Sequence, residues 1–170
     1  MNQQVRYSLM PSPLGNVLLV ANGDALCGVY FDKQKYLPPI GPAWQEDEDS
    51  AVLRAAHNQL DQYFAGSRKR FELPLGPNGT PFQRAVWKAI AQVPWGETLT
   101  YAELASRAGR PGSARAAGAA TGRNPLSIIV PCHRIVGSDG SLTGYAGGLD
   151  RKQKLLALER PLFALARQAA

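Results

Sequence analysis

The sequence predicts an α+β protein in two parts, a small β-sheet with one helix over residues 1–79 and a mostly helical domain over 80–170. Three observations lead there. Runs rich in Val, Leu and Tyr before residue 32 are broken by turn residues. "GPNGTP", Gly76–Pro81, has the composition of a linker. Beyond it the apolar spacing becomes helical and helix-start signals recur.

The strand candidates are Gln4–Leu9, Gly15–Ala21 and Ala25–Phe31, with an Asn-Gly turn in "ANGD" joining the last two into a hairpin. A proline-rich, acid-ending loop, Tyr36–Asp49, leads to Ser50, which introduces "AVLRAAHNQLDQYFAG". Val52, Leu53, Ala56, Leu60 and Phe64 give that helix an apolar face, and Gly66 stops it. "RFELPL", Arg70–Leu75, alternates well enough for a further strand. Thr80 and Pro81 then form an N-cap and first-turn pair opening "FQRAVWKAIAQV". Thr100 with Glu103 three residues later is a reciprocal capping box, and that helix ends at Gly109. After "RPG" a third helix, Ser113–Gly122, consists almost entirely of small residues, and the two short helices across a tight turn predict a helix-turn-helix. Gly118 inside it costs about 1 kcal/mol against alanine. The small residues either allow close packing on a neighbouring helix or present a smooth face to a narrow groove, with Arg115 the one long side chain. Last, the glycines Gly144, Gly147 and Gly148 fold a tight loop, and Asp150 caps a helix with Leu155, Leu156 and Leu158 inward and Arg151, Lys152 and Lys154 outward. Glu159 sits late in it, against the helix dipole, so it faces solvent or has a specific partner.

Charge divides the chain in the same place. The net charge is +6 and the pI about 9.6. Residues 1–79 carry seven Lys and Arg against eight Asp and Glu, whereas residues 80–170 carry twelve against five. The second part suits a polyanion, nucleic acid first, or else has a solvated basic face. No charged-then-apolar leader follows Met1 and no apolar run nears membrane-spanning length, so neither signal peptide nor membrane helix is expected, and the expected location is cytoplasmic. Two cysteines, Cys27 and Cys132, do not make a disulfide framework, and with two histidines they show no metal-ligand spacing. No metal and no cofactor is expected.

In "IIVPCHRIVG" the cysteine stands beside His133, after three β-branched residues and Pro131, which predict a buried, extended approach. A thiol attacks only as thiolate, and an imidazole, Arg134 or a helix N-terminus nearby can depress its pKa. A carboxylate such as Glu159 can hold the far nitrogen of the imidazole. The alternative is an inert buried thiol at a strand end.

The run "PCHRIVGSDGSLTGYAGGLDRKQKLLALE", with "NPLSIIV" before it and "TYAELASRAG" and "SARAAGAATGRN" upstream, resembles the O6-alkylguanine-DNA alkyltransferase family, the methylated-DNA–protein-cysteine methyltransferases. The likeness runs from about Thr80 to Glu159, and Pro-Cys-His-Arg followed by Gly-Tyr-x-Gly-Gly is its most specific part. Residues 1–79 share only a layout, which the family implies to be ribonuclease H-like, with a winged-helix-like second domain. The resemblance implies repair of O6-alkylguanine by irreversible transfer of the alkyl group to Cys132, once per molecule. His133 then takes the thiol proton through a water, Glu159 orients His133, and Tyr101 hydrogen-bonds guanine N3 and helps rotate the 3′ phosphate. Asn124 matches an asparagine that ties the Cys132 loop to the helix-turn-helix. Arg115 matches a finger that fills the space of the flipped nucleotide, and Ser113, Ala114, Ala116, Gly118 and Arg123, with Tyr101, complete the implied minor-groove contact to double-stranded DNA. Cys132, Ile135, Tyr145 and Ala146 are the implied pocket for the base; some relatives have serine at position 146. The implied protein is a monomer in solution, with cooperative binding along DNA left open. Three rivals differ in class: a non-catalytic alkylated-DNA lesion-binding protein, which would have tryptophan in place of Cys132; a cysteine hydrolase, which needs an oxyanion hole; and a sequence-specific transcription factor, which needs base-reading side chains on its recognition helix.

Overall fold

The computed structural model describes residues 4–160, and its chain divides into two compact units. The first takes in Met1–Asn78 and Pro125–Ser127; the second takes in Gly79–Asn124 and Ile128–Ala170. A three-residue excursion of the later half thus belongs with the earlier one.

In the first unit β1 (Val5–Met10), β2 (Val17–Asn22) and β3 (Ala25–Phe31) form an antiparallel meander. The β2–β3 loop is Gly23–Asp24 rather than Asn22–Gly23, because Asn22 still pairs with Ala25. Gly23 takes the first central position at φ 60°, which a side chain disfavours. The acid-ending loop is not pure connection: Gln45–Glu46 forms a short β4, parallel to β1 at the sheet edge, giving the order β3-β2-β1-β4. α1 (Ala51–Phe64) buries Val52, Leu53, Ala56, Leu60 and Tyr63. Tyr63 is the core aromatic, edge-on to Phe64 at 5.5 Å and tilted against Phe71 at 5.7 Å, while Phe64 is only half-buried. Ser50 occupies the N-cap of α1, yet its side chain makes no cap hydrogen bond. The strand expected at Arg70–Leu75 shrinks to one bridge, Leu26 with Leu75. Pro74 explains this, since it accepts from Leu26 N at 2.8 Å but has no N–H to continue a ladder. Pro125–Ser127 covers the same strand further along: Val29 N donates to Pro125 O at 2.8 Å and Ser127 N to Val29 O at 3.1 Å. Two short segments therefore satisfy what would be an open edge.

In the second unit α2 (Pro81–Ala91) and α3 (Tyr101–Arg107) both start with complete capping boxes, Thr80 with Gln83 and Thr100 with Glu103. Gly109 and Gly112, at φ 84° and 83°, turn the chain between α3 and α4 (Ala114–Gly122). Buried Trp87 of α2 donates from Nε1 to Ala120 O of α4 at 2.8 Å, which locks the helix-turn-helix onto α2. β5 (Leu99–Thr100) runs parallel to β6 (Ile135–Val136) and so brings the first residue of α3 beside the segment after Cys132. α5 (Leu149–Glu159) starts after Gly148, so Asp150 lies in its first turn instead of capping it and pairs with Lys154 at 3.0 Å.

Candidate active site

Ile128–Val130 is buried, but the extended approach to Cys132 is not what forms. The segment is a turn, with Ile128 at φ 72°, a strained conformation for a β-branched residue. Local bonds impose it. Asn124 donates from Nδ2 to Val130 O at 2.8 Å, Cys132 N donates to the same carbonyl at 2.8 Å, and Arg134 N reaches Pro131 O at 2.9 Å. Cys132–Arg134 is then one 3-10 turn.

His133 and Arg134 both end on Glu159. His133 Nε2 lies 2.6 Å from Glu159 Oε1; Arg134 donates from Nε to Oε2 and from Nη2 to Oε1, each at 2.8 Å, and from Nη1 to Val93 O at 2.6 Å. All three residues are buried, His133 completely. Burial pushes the Glu159 carboxyl upward, but the hydrogen bonds and charges of His133 and Arg134 outweigh it and hold the group at about 2. Glu159, the late-helix carboxylate, therefore has specific partners in His133 and Arg134 and is ionised throughout the neutral range. Burial lowers His133 in spite of Glu159, so its ring is neutral. A carboxylate can only accept, so Nε2 carries the ring proton and Nδ1 is left with a free lone pair. Nδ1 has no hydrogen-bond partner among the described residues. An imidazole in this state has a lone pair open to a donor, although burial disfavours its charged form.

Cys132 is a free thiol, 4% exposed. Desolvation raises its pKa; the Asn124 side chain, the charge of Lys152 and the backbone N–H groups of Cys132 and His133 all act the other way. Arg134, one of the groups the sequence offered for lowering the thiol, faces Glu159 instead. The cation whose charge favours the thiolate is Lys152, and the outward orientation expected for it is wrong: it is fully buried. The helical wheel misplaces it because α5 packs on the Cys132 turn as well as on apolar side chains, so a second face of the helix is covered.

Tyr101 is half-buried, which raises its pKa, and its hydroxyl donates to Thr143 O at 2.9 Å. Tyr145 and Ala146 are half-buried in the turn closed by Gly148 N to Tyr145 O at 2.9 Å, and Ile135 is buried in β6. The helix-turn-helix residues form a different feature. On α4, Ala117, Ala120 and Thr121 face inward, while Arg115, Ala116 and Ala119 are exposed. Ser113 stands at the N-cap, Ala114 and Gly118 are half-buried, and Arg123 is exposed at the C-terminal end. The Tyr101 ring would sit 3.6 Å from a Cβ at Gly118, so α3 and α4 are in ordinary contact there. One face of α4 packs closely, as the packing reading of the small residues expects, and the other is smooth and open. Sequence reasoning missed Lys152 and Trp87. For Lys152 the only available signal was a lysine two positions past Asp150 in a helix that also carries Glu159. Among the described residues no group of three or more His, Cys, Asp and Glu is placed to hold a metal ion, and no helix is long and apolar enough to cross a membrane.

A small sheet-and-helix unit followed by a helix-turn-helix unit with one buried, polar-lined thiol defines the class as a two-unit α+β protein built around a cysteine site. Comparison with known proteins finds matches to both units. Residues 81–161 match the family model "6-O-methylguanine DNA methyltransferase, DNA binding domain", and residues 5–77 match its "ribonuclease-like domain". The methylated-DNA–protein-cysteine methyltransferase of Methanosarcina acetivorans is 47% identical over 153 residues, 90% of this chain and 97% of that protein. The crystal structure of Mycobacterium tuberculosis O6-methylguanine methyltransferase superposes with a TM-score of 0.85 at 44% identity, covering 92% of this chain and 93% of that one. The M. tuberculosis OGT in complex with DNA gives 0.84 at 42%. The chain belongs to the O6-methylguanine-DNA methyltransferase family.

Proposed function

We propose that this protein repairs O6-alkylguanine in DNA by moving the alkyl group to Cys132, as a stoichiometric methylated-DNA–protein-cysteine methyltransferase. The observation that carries the proposal is the chain of contacts from ionised Glu159 to neutral His133, beside a buried thiol that four further groups favour as thiolate. His133 Nδ1 takes the thiol proton through a water, the Cys132 sulfur bonds to the alkyl carbon, and the carbon–O6 bond breaks. Guanine leaves as an anion that needs a hydrogen bond as it forms, and the Tyr101 hydroxyl supplies one at N3 on exchanging Thr143 O for the base. Ile135, Tyr145 and Ala146 wall the base pocket, and the carbonyls of Cys132 and Ile135 accept from the guanine amine. Asn124 fixes the turn that aims the sulfur. The product is a thioether without an expelled leaving group, so each molecule acts once.

Delivery of the base falls to α4. Its open, small-residue face with Ser113, Ala114, Ala116 and Gly118 lies on the minor groove, Arg123 meets phosphate, and Arg115 takes the place of the flipped nucleotide. A planar guanidinium can stack and hydrogen-bond together, whereas unstacking a base costs a few kcal/mol that such contacts must offset. The protein acts as a cytoplasmic monomer on double-stranded DNA, where its two thiols stay reduced. The test is intact-protein mass spectrometry with peptide mapping after incubation with a duplex carrying one O6-methylguanine. One methyl mass on Cys132, saturating at one per molecule, is expected; unmodified protein that still binds the lesion would establish the lesion-binding rival.

A further inference from the structure

The basic run Arg68-Lys69-Arg70, which the proposed chemistry does not use, is held on the first unit by two glutamines of α1. Gln59 and Gln62 stand three residues apart and are neighbours on the helix surface. Gln59 donates from Nε2 to Glu72 O at 3.0 Å and accepts from Glu72 N at 2.8 Å, while Gln62 Oε1 accepts from Arg68 Nε at 2.7 Å. α1 itself ends in a Schellman closure: Ser67 N donates to Gln62 O at 3.0 Å and Gly66 N to Tyr63 O at 2.9 Å, with Gly66 at φ 78°. Arg68 Nη1 then reaches Arg70 O at 2.8 Å. The segment after the helix is clasped at both ends, so its cations are presented from a fixed backbone and not from a loose loop. With Gln62 and Ser67 the three basic residues line an open cavity of about 430 Å³, and among the described residues no carboxylate lines it.

Cations after a helix C-terminus commonly serve its dipole. Here that need is met otherwise: Ser67 N, Ser67 Oγ and Arg68 N all end on Gln62 O, and the Arg68 side chain goes to the Gln62 amide and to Arg70 O. Among the described residues neither Arg68 nor Arg70 is paired with a carboxylate. Asp61 faces His57 one turn back at 3.3 Å, and Glu72 meets the clasp through its backbone. Residues 1–79 carry seven Lys and Arg against eight Asp and Glu, and three of the seven are consecutive here, in a unit that is otherwise acidic. A single small anion engages one or two such side chains. Three in a row along a non-helical run suit a row of phosphates, which recur about every 3.4 Å along one strand of a duplex. Guanidinium forks take phosphate oxygens in pairs. We propose that Arg68, Lys69 and Arg70 form a phosphate-binding site on the first unit that takes the phosphodiester backbone of DNA, distinct from the contact proposed for α4.

The proposal rests on the reading that this protein works on DNA, though not on alkyl transfer, and its test keeps the two apart. Lys69→Gln with Arg70→Gln removes two charges and leaves the Arg68 clasp in place. For the full chain on a long lesion-free duplex, the fall of log affinity with log salt flattens by about 1.8, two phosphates at about 0.9 each, so wild type loses about tenfold more affinity than the variant between about 50 and 200 mM salt. Lys69→Arg with Arg70→Lys keeps the wild-type slope. Lys33→Gln with Arg54→Gln removes the same charge from exposed positions elsewhere in the unit and also keeps it. Equal flattening by both neutralised pairs reduces the effect to net charge and overturns the site. Amide NMR of the full chain gives the local reading: the duplex shifts Gln62 and residues 67–70. No shift there overturns the proposal, as does an equal shift with inorganic phosphate at the same phosphate concentration, an adventitious ion only. A wild type that sediments as a dimer without DNA, beside a monomeric variant, gives the run to the acidic residues 46–49 of a second copy and overturns it too. A wild type with the slope and the shifts but no methyl on Cys132 removes the repair reading and leaves this site; a methylated wild type whose slope the variant shares removes this site alone.

Discussion

The two cysteines of this chain are both held above their ordinary pKa by burial, yet only one of them has neighbours that a catalyst could use. Cys27, in β3, is half-buried and its sulfur approaches Val20 O at 3.5 Å; only its own backbone N–H favours the thiolate. Cys132 is more deeply buried and thus more strongly disfavoured as an anion, but Asn124, Lys152 and two backbone N–H groups work against that burial. Depth alone would rank the two wrongly. What separates a structural thiol from a reactive one is whether the groups facing the sulfur prefer it charged. For Cys132 they do, and a neutral imidazole with a free lone pair stands next in sequence.

The largest effect that sharpens this contrast is the loss of the sulfur. Cys132→Ala abolishes methyl transfer while binding to alkylated duplex persists; transfer in that variant, read by mass spectrometry, would move the acceptor elsewhere. Next is Glu159→Gln, which costs about a hundredfold in transfer, the lower range for loss of proton-transfer assistance. It also destabilises the fold by about 3–5 kcal/mol, because Arg134 is left buried opposite a neutral amide. Denaturant melts of the two proteins measure the difference. The same pair sets the response to acid. His133 and Glu159 are both depressed in the folded state, so the stability they contribute is present above their unfolded values and is lost as pH falls from about 6.5 toward about 2. Glu159→Gln flattens the lower part of that decline, and an unchanged acid profile would mean that the carboxylate is not held by its partners. Arg115→Ala is expected to slow repair of duplex by about tenfold, roughly 1.4 kcal/mol of the unstacking cost, while its iodoacetamide reactivity at Cys132 stays normal. Smallest is Cys27→Ser, which leaves transfer unchanged and shifts stability by less than about 1 kcal/mol.

Much of the fold was legible because its signals are local. The three strands of the meander, α1 with its apolar face and the starts of α2 and α3 all follow from periodicity and caps over a few residues. What failed depended on partners far along the chain. Pro74 turned an alternating run into a single bridge, the acidic loop found a strand partner in β1, and the β-branched run before Cys132 was bent by the side chain of Asn124. At the site, Glu159 could be singled out because a carboxylate is out of place at a helix C-terminus. Lys152 could not, since a lysine on an amphipathic helix reads as solvent-facing and only the carbonyls of residues 135, 143 and 144 explain it.

The capping box at Thr100 has a consequence for how this family can drift. Thr100 and Glu103 close the first turn of α3 by bonds within four residues, while the pairing of Thr100 with Val136 sets where that turn stands. The exposed remainder of the helix, Ser106 and Arg107 included, can change without disturbing that turn. The Tyr101 hydroxyl keeps its place on Thr143 O meanwhile, so change on the open face and constancy at the hydroxyl can coexist on neighbouring residues.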